Sequence, residues 1–237
     1  MKLLFDLHTH TIMSGHAYST LQENVAAAKE AGLLAYGFSE HAQAMPGSVN
    51  NIYFHNFKVL PKEVNGVALF GGVELNIMDY AGNTDADERT MANVHYAIAS
   101  LHPPCIPPAN MAESTAAIVG AMQNPLIKII GHPDDGRYPL DYDTVVRAAV
   151  DTGTVLEVNN SSVGGNALRQ GAHENYKVML EKCVQYGCKV IVGSDAHYAS
   201  FVGGFDGARA TLEKAGFPEE LVINTTIDGL DLVLNRK

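Results

Sequence analysis

The sequence predicts an α/β fold, a barrel of about seven or eight parallel strands with helices between them. Two observations predict it. Short β-rich runs alternate with Ala-rich amphipathic segments along the chain, and several runs, such as Val190-Ile191-Val192, are nearly continuous apolar stretches. Such runs are typical of parallel strands buried on both faces. The length of 237 residues and the hydrophobic share of 46% suit a core of ordinary size. We therefore expect residues 1–237 to form a single domain.

The elements follow in order along the chain. Strands are expected at Lys2–Leu7, Ala35–Ser39, Val67–Val73, Val94–Ser100, Ile127–Gly131, Val155–Asn159 and Lys189–Gly193. Helices are expected at Thr20–Ala31, Met111–Met122, Asp141–Asp151, Ala172–Tyr186 and Gly207–Ala215. Ser19 and Gln22 have the spacing of a capping box at the start of the first helix, and Gly32 ends it. The alternation of strands and helices predicts one face on which all strand ends meet.

Composition excludes several classes of protein. The chain has 26 acidic and 16 basic residues, a formal charge of −10, which argues against binding extended nucleic acid. Cys105, Cys183 and Cys188 show no spacing of a disulfide framework or a thiolate zinc site. No signal peptide and no membrane span are recognisable. We expect a cytoplasmic protein without membrane contacts.

Most of the histidines lie at or just beyond the C-terminal ends of predicted strands, together with two carboxylates. These residues are His8, His10, His16, His41, Glu74, His102, His132, Asp195 and His197. In a parallel barrel these ends open onto the face where active sites form. A single histidine at such a place is commonly a hydrogen-bonded surface or core residue, but seven placed alike indicate a shared function. His55, His95 and His173 do not follow this pattern.

The spacing of these residues indicates metal binding. Residues two apart in an extended segment point the same way, so His8 and His10 can hold one ion, as can Asp195 and His197. Imidazole and carboxylate ligands suit zinc, manganese or iron. Nine candidates are too many for one four-coordinate ion and are about right for two or three.

Five motifs resemble the PHP (polymerase and histidinol phosphatase) family, in order and over nearly the whole chain. They are Asp6-Leu7-His8-Thr9-His10, Ser39-Glu40-His41, Gly72-Val73-Glu74, Gly131-His132-Pro133 and Gly193-Ser194-Asp195-Ala196-His197. The stretches from His16 to Leu21 and from Leu156 to Ser162 are most similar to the stand-alone phosphatases of the YcdX type.

The resemblance implies a distorted (β/α)7 TIM-like barrel with a trinuclear centre, usually described with zinc. It assigns His8, His10, Glu74 and Asp195 to one ion, Glu74 as a bridge with His102 and His132 to a second, and His16, His41 and His197 to a third. Relatives commonly have Thr-Asp-His where this chain has Ser39-Glu40-His41. We expect Glu40 to support a ligand rather than to bind metal.

The reaction expected from this site is hydrolysis of a phosphomonoester by a water that the ions activate. The catalytic residues are then Glu74, Asp195 and His197, and the leaving oxygen takes its proton from Asp195 or from water. Asp6 is expected to accept a hydrogen bond from a ligating imidazole.

Four residues are candidates for contact with the substrate: Arg137, Arg169, Asn160 and Ser161. The guanidinium groups could bind phosphate in a two-pronged manner. Specificity is expected from the Gly-rich loop before Arg169 and from the segment 43–56 with the neighbouring aromatics Tyr53, Phe54 and Phe57. The expected partner is a small phosphorylated substrate. Relatives of the YcdX type include trimers, so a homotrimer is one assembly to test.

Several alternatives stay open at this point. A nuclease or phosphodiesterase, or a histidinol-phosphate phosphatase, could use the same site. The same ions could also serve an amide hydrolase, because an activated water attacks carbon as well as phosphorus. A non-catalytic metal-binding protein is the alternative outside enzymes, although storage proteins would favour exposed ligands on loops.

Overall fold

The computed structural model describes residues 1–164 and 169–235, and one sheet forms its centre. The strands are β1 (Phe5–Asp6), β2 (Ala35–His41), β3 (Glu63–Val64), β4 (Val67–Asn76), β5 (Tyr96–Ser100), β6 (Ile129–Ile130), β7 (Val155–Asn159) and β8 (Val190–Gly193). Their order is β1-β2-β4-β5-β6-β7-β8, and each neighbouring pair in this path is parallel. The strand β3 pairs antiparallel with β4 and forms a hairpin with it.

The sheet is nearly closed, because its two outer strands approach each other beyond their C-terminal ends. A parallel bridge pairs Thr9 with Ala196. The backbone N–H of Asp195 donates to the carbonyl of His8 at 2.8 Å, and that of His10 donates to the carbonyl of Ala196 at 2.9 Å. The seven parallel strands therefore form a distorted α/β barrel, which confirms the predicted fold.

Helices connect the strands and cover the outside of the barrel. They are α1 (Leu21–Glu30), α2 (Glu88–Asn93), α3 (Met111–Ala121), α4 (Tyr142–Thr152), α5 (Asn160–Val163), α6 (Ala172–Tyr186) and α7 (Asp206–Lys214). Short 3-10 turns lie at Ile12–Ser14, Phe54–Val59, Ala199–Phe201, Glu219–Leu221, Ile223–Thr225 and Ile227–Leu232. The short helices α2 and α5 are not predicted by the sequence, since six and four residues are too few for an amphipathic pattern.

The predicted cap of α1 is wrong by one residue. Thr20 and Glu23 form the capping box, and each side chain binds the other's backbone N–H. Ser19 is buried, and its hydroxyl instead accepts a hydrogen bond from the backbone N–H of Ala199 at 2.9 Å. Ser19 therefore ties the start of α1 to the loop after β8, a contact that no local pattern reveals.

Two hydrophobic clusters stabilise the barrel. The larger one lies between the sheet and the helices, and the smaller joins strand residues such as Phe5, Ile98 and Ile191 with Leu230 from the C-terminal turns. Tyr96 belongs to the smaller cluster and donates to the carbonyl of Leu7 at 2.6 Å. No helix in residues 1–164 and 169–235 is long and apolar enough to cross a membrane.

Candidate metal centre

Glu74 lies near the C-terminal end of β4 and is fully buried at the centre of the predicted ligands. Its Oε1 lies 3.4 Å from Nε2 of His8, 3.2 Å from Nε2 of His102 and 3.0 Å from Nε2 of His132. Its Oε2 lies 3.4 Å from Nε2 of His10 and 2.9 Å from Nδ1 of His41. The two oxygens therefore face two different sets of imidazoles, as a bridging carboxylate would.

Asp195, in the loop after β8, lies near two of the same histidines and near His197. Its Oδ1 lies 3.6 Å from Nε2 of His8, 3.4 Å from Nε2 of His10 and 3.6 Å from Nδ1 of His197. The His16 ring lies 5.0 Å from that of His41 and 4.9 Å from that of His197, measured between centroids. The structure thus brings all nine predicted ligands together at one end of the barrel.

Eight of the nine residues fall into four overlapping groups of three. Within each group, the ligand atoms lie within 4.8 Å of one another. These groups are His10, His41 and His197; His8, His132 and Asp195; His8, His10 and Glu74; and His41, Glu74 and His102. The third group agrees with the first ion of the sequence-based assignment. In the first group His10 stands where His16 was expected, so the division of the ligands among three ions stays a prediction.

Partners on the far side of each ring orient the imidazoles. Nδ1 of His8 donates to Oε1 of Glu157 at 2.7 Å. Nδ1 of His102 donates to the side-chain oxygen of Asn76 at 2.7 Å. In both rings the other nitrogen, Nε2, points toward Glu74, and in the neutral imidazole its lone pair is then free to bind a metal.

His10 is oriented by a short relay. Its Nδ1 lies 3.0 Å from the hydroxyl of Ser14, which itself donates to Oε2 of Glu40 at 2.6 Å. Glu40 also accepts a hydrogen bond from the hydroxyl of Thr11 at 2.6 Å. Glu40 therefore supports a candidate ligand from behind, as expected, and does not face the centre itself.

The residues at this centre fit a metal ion. Four buried polar atoms around Glu74 have no hydrogen-bond partner: Nε2 of His8, Nε2 of His10, Nδ1 of His41 and Oε2 of Glu74. Buried polar atoms are almost always paired, and leaving one unpaired typically costs about 1–3 kcal/mol. Because these atoms are buried close to one another and are of the types that bind divalent cations, bound ions would satisfy them together.

The pKa values of several of these residues also favour metal binding. Burial, together with the neighbouring His41 and His197, holds the pKa of His10 well below its usual range. Burial lowers the pKa of His102 to about 4. Burial alone would raise the pKa of Asp195, but His8, His10 and Arg169 hold it well below its usual range. His10 and His102 are thereby kept neutral beside an ionised carboxylate, as metal binding requires. Burial alone would lower the pKa of His8, but Glu157, Glu74 and Asp195 raise it well above its usual range, so this imidazole would release a proton on binding a metal.

Two of the candidate ligands have strained backbones. His132 has φ = 29° and Asp195 has φ = 54°, and Asn65 is the third residue other than glycine with positive φ in the described part of the chain. Such conformations cost about 1–3 kcal/mol each, and they persist where surrounding structure enforces them. Oε2 of Glu157 holds the backbone N–H of His132 at 2.7 Å. The strain turns both side chains into the centre just beyond the ends of their strands.

A cavity of about 640 Å³ opens above these residues, and all four predicted substrate contacts line it. The arginines are already paired, however. Arg169 binds Oδ2 of Asp195 at 2.9 Å and also donates to Asn159 and Ser162. Arg137 lies against Asp135, with Nε 2.9 Å from each carboxylate oxygen. Arg169 therefore fixes a candidate ligand, and contact of either arginine with phosphate stays a prediction.

The prediction that the segment 43–56 and its neighbouring aromatics determine specificity is largely wrong. Phe54 and Phe57 are buried in the outer core, where Phe57 packs on Phe38 at a centroid distance of 5.3 Å. From the stretch 43–57 only Met45 is among the described residues that line the cavity. The Gly-rich loop reaches the cavity with Gly164, and its residues 165–168 lie outside the described residues.

The expected role of Asp6 is also wrong. Its carboxylate is fully buried and accepts hydrogen bonds from the backbone N–H groups of His8, Ser194 and Gly203, at 3.3, 3.2 and 3.0 Å. It forms no hydrogen bond with an imidazole of the described residues and instead ties β1 to the loop after β8. Glu157 fills the role expected of Asp6, and its distance of 149 residues from His8 explains why sequence reasoning missed it.

Replacing Glu157 with Gln is expected to weaken metal binding about tenfold to a hundredfold, the usual effect of removing a carboxylate behind a ligating histidine. The amide keeps the shape but loses the charge that polarises His8. Competition with a chromophoric chelator measures the affinity. The variant Glu174→Gln, which changes an exposed residue of α6, is the control. An unchanged affinity would show that Glu157 only fills space.

Comparison with known proteins identifies relatives of this chain. A model of the PHP domain matches residues 6–231. A protein of Thermoanaerobacter sp. (strain X514) named "Probable phosphatase" is 43% identical over 238 residues, covering 100% of this chain and 96% of its own length. One of the same kind from Clostridium novyi (strain NT) is 42% identical over 225 residues, covering 95% and 91%.

A solved structure shares the fold. Histidinol phosphate phosphatase from Lactococcus lactis, complexed with zinc, L-histidinol and phosphate, aligns with a TM-score of 0.59 and 19% identity. The alignment covers 91% of this chain and 94% of that one. At this identity the similarity supports the barrel architecture alone.

Proposed function

Because this chain belongs to the PHP domain family, we propose that it is a metal-dependent phosphatase that hydrolyses phosphomonoesters at a centre of three divalent ions. Phosphatase activity agrees with the names of its relatives. The observation that carries the metal centre is the convergence of unpartnered buried atoms on Glu74. Zinc is the expected ion, with manganese and iron as alternatives, because the donors are imidazole and carboxylate.

The ions would be held by His8, His10, His16, His41, Glu74, His102, His132, Asp195 and His197. When bound, they would polarise the phosphoryl oxygens and supply a nucleophilic water at neutral pH. Glu74 holds its two oxygens toward separate imidazole sets, so it can keep neighbouring ions together. His197 keeps its orientation because its Nδ1 lies 3.0 Å from the carbonyl of Asp195.

The residues around Asp195 indicate whether its carboxyl group could protonate the leaving oxygen. The ion pair with Arg169 and the short contacts to His8 and His10 favour an ionised Asp195. An ionised carboxylate can bind metal but has no proton to give. Of the two donors that the sequence allows, water is therefore the one we propose, with Asp195 acting as a ligand.

The test is release of inorganic phosphate from p-nitrophenyl phosphate before and after chelation, with zinc or manganese then returned. We expect activity to fall at least about a hundredfold on chelation and to recover with metal. A folded, metal-loaded protein that releases no phosphate under any of these conditions would contradict the phosphomonoesterase proposal. Cleavage of bis(p-nitrophenyl) phosphate instead would favour the diesterase alternative.

A further inference from the structure

One wall of the cavity contains none of the nine candidate ligands. It is formed by the loop after β7 and by the part of the loop after β8 that follows His197. Apart from Arg169, its described lining residues are Asn160, Ser161, Gly164, Ser200, Phe201 and Gly204. The cavity volume of about 640 Å³ lies within the range of sites that hold a whole small molecule. The organic part of a bound phosphate ester therefore has this wall to lie against.

Phe201 is the large apolar side chain of this wall. It is 61% exposed, although a phenyl ring usually gains by burial. Its ring packs edge-on against Tyr198 at a centroid distance of 6.4 Å. The backbone just beyond it is tied to β1 by the hydrogen bond from Gly203 to Asp6. The ring is therefore held at the cavity with an open face, which a second ring could cover by stacking.

The charges of the cavity restrict the substrate further. Apart from the candidate ligands, the described lining residues include two arginines and no carboxylate. The carboxylate of Asp135 is occupied by Arg137. Residues 165–168 are Gly-Asn-Ala-Leu and carry no charge. An ammonium group on the substrate would therefore find no unpaired carboxylate among these described residues, apart from the candidate metal ligands, to compensate its charge.

We propose that this site selects phosphomonoesters of uncharged alcohols that carry a planar ring, and that the ring packs on Phe201. The inference rests on the proposed function and makes Phe201 a determinant of specificity. It also separates this chain from an enzyme for amino alcohol phosphates, whose ammonium group needs a carboxylate.

Three alkyl phosphates test the proposal: 2-phenylethyl phosphate, ethyl phosphate and 2-aminoethyl phosphate. The first two have similar leaving oxygens, and the ammonium group makes the third a better leaving group, so slower hydrolysis of the third would reflect binding. We expect kcat/KM for the phenylethyl ester to exceed that for the ethyl ester at least about tenfold. The aminoethyl ester is expected to be at least about fivefold poorer than the ethyl ester. Phosphate release measures all three with the same metal-loaded protein.

Phe201→Ala is expected to lower kcat/KM for the phenylethyl ester about tenfold, mainly through KM, and to lower that for the ethyl ester much less. Phe201→Tyr should retain the preference, because its ring presents the same face. Ile52→Ala is the matched control, since Ile52 is 72% exposed and is not among the residues that line this cavity. Calorimetry with 3-phenylpropylphosphonate and propylphosphonate, which cannot be hydrolysed, should show the same ratio in binding.

The outcomes separate this inference from the proposed function. Equal kcat/KM for the phenylethyl and ethyl esters, an equal effect of Phe201→Ala on both, or a preference for the aminoethyl ester would each overturn the inference while hydrolysis itself stands. Failure to hydrolyse any of the three esters, the ethyl ester included, would contradict the proposed function and the inference with it.

Discussion

Replacing Glu74 with Gln is expected to reduce turnover at least about a thousandfold. Metal ions commonly supply several kcal/mol of transition-state stabilisation, and a loss of about 4 kcal/mol corresponds to that factor. Glu74 is buried, and its two oxygens face five imidazoles. The amide removes the negative charge and turns an N–H group toward one of these sets, so bridging of neighbouring ions is lost.

Metal content by mass spectrometry and phosphate release from p-nitrophenyl phosphate measure this effect. The control is Glu181→Gln, which makes the same chemical change at an exposed residue of α6, far from the site. Circular dichroism establishes that both variants fold. A folded Glu74→Gln protein with full metal content and turnover would contradict a bridging role for this carboxylate.

His10→Ala is expected to reduce both metal affinity and turnover at least about a hundredfold. The His10 ring is fully buried, and its unpartnered Nε2 lies 3.4 Å from Oε2 of Glu74 and 3.4 Å from Oδ1 of Asp195. Its centroid is 4.4 Å from those of His41 and His197. Removing the ring takes away one metal-ligating nitrogen that lies between two carboxylates. It also removes the ring against which His41 and His197 pack.

His173→Ala is the matched control, since His173 is exposed on α6 and lies outside the pattern of strand-end histidines. Metal titration of the apo-protein and steady-state kinetics give the two readouts. If His10→Ala bound metal and turned over substrate like the His173→Ala protein, His10 would not be a ligand.

Much of the candidate centre was predictable because a parallel barrel imposes a simple rule. Strand runs such as Val155–Asn159 and helix runs such as Ala172–Tyr186 have the bounds that the sequence predicts. Once strands and helices alternate, all C-terminal strand ends must share one face. Residues such as His41, which ends β2, are therefore brought together by topology, whatever the details of packing.

The supporting residues were not predictable in the same way. Glu157 and Asn76 orient His8 and His102 across 149 and 26 residues of sequence, and nothing local marks either as a partner. The pairing of Arg169 with Asp195 is likewise a contact that the sequence does not predict. A pattern of residue types shows which side chains could act, but their partners depend on distances between distant segments.

The sequence by itself determined the fold class, the face that holds the site and the residue types that gather there, because these follow from periodicity and strand direction. Only the tertiary structure decided how each imidazole is oriented, which backbones are strained and that Phe201 rather than Phe54 faces the cavity. These features depend on contacts between loops that are far apart in sequence, such as the hydrogen bond from Gly203 to Asp6, and no local pattern of residues encodes such contacts.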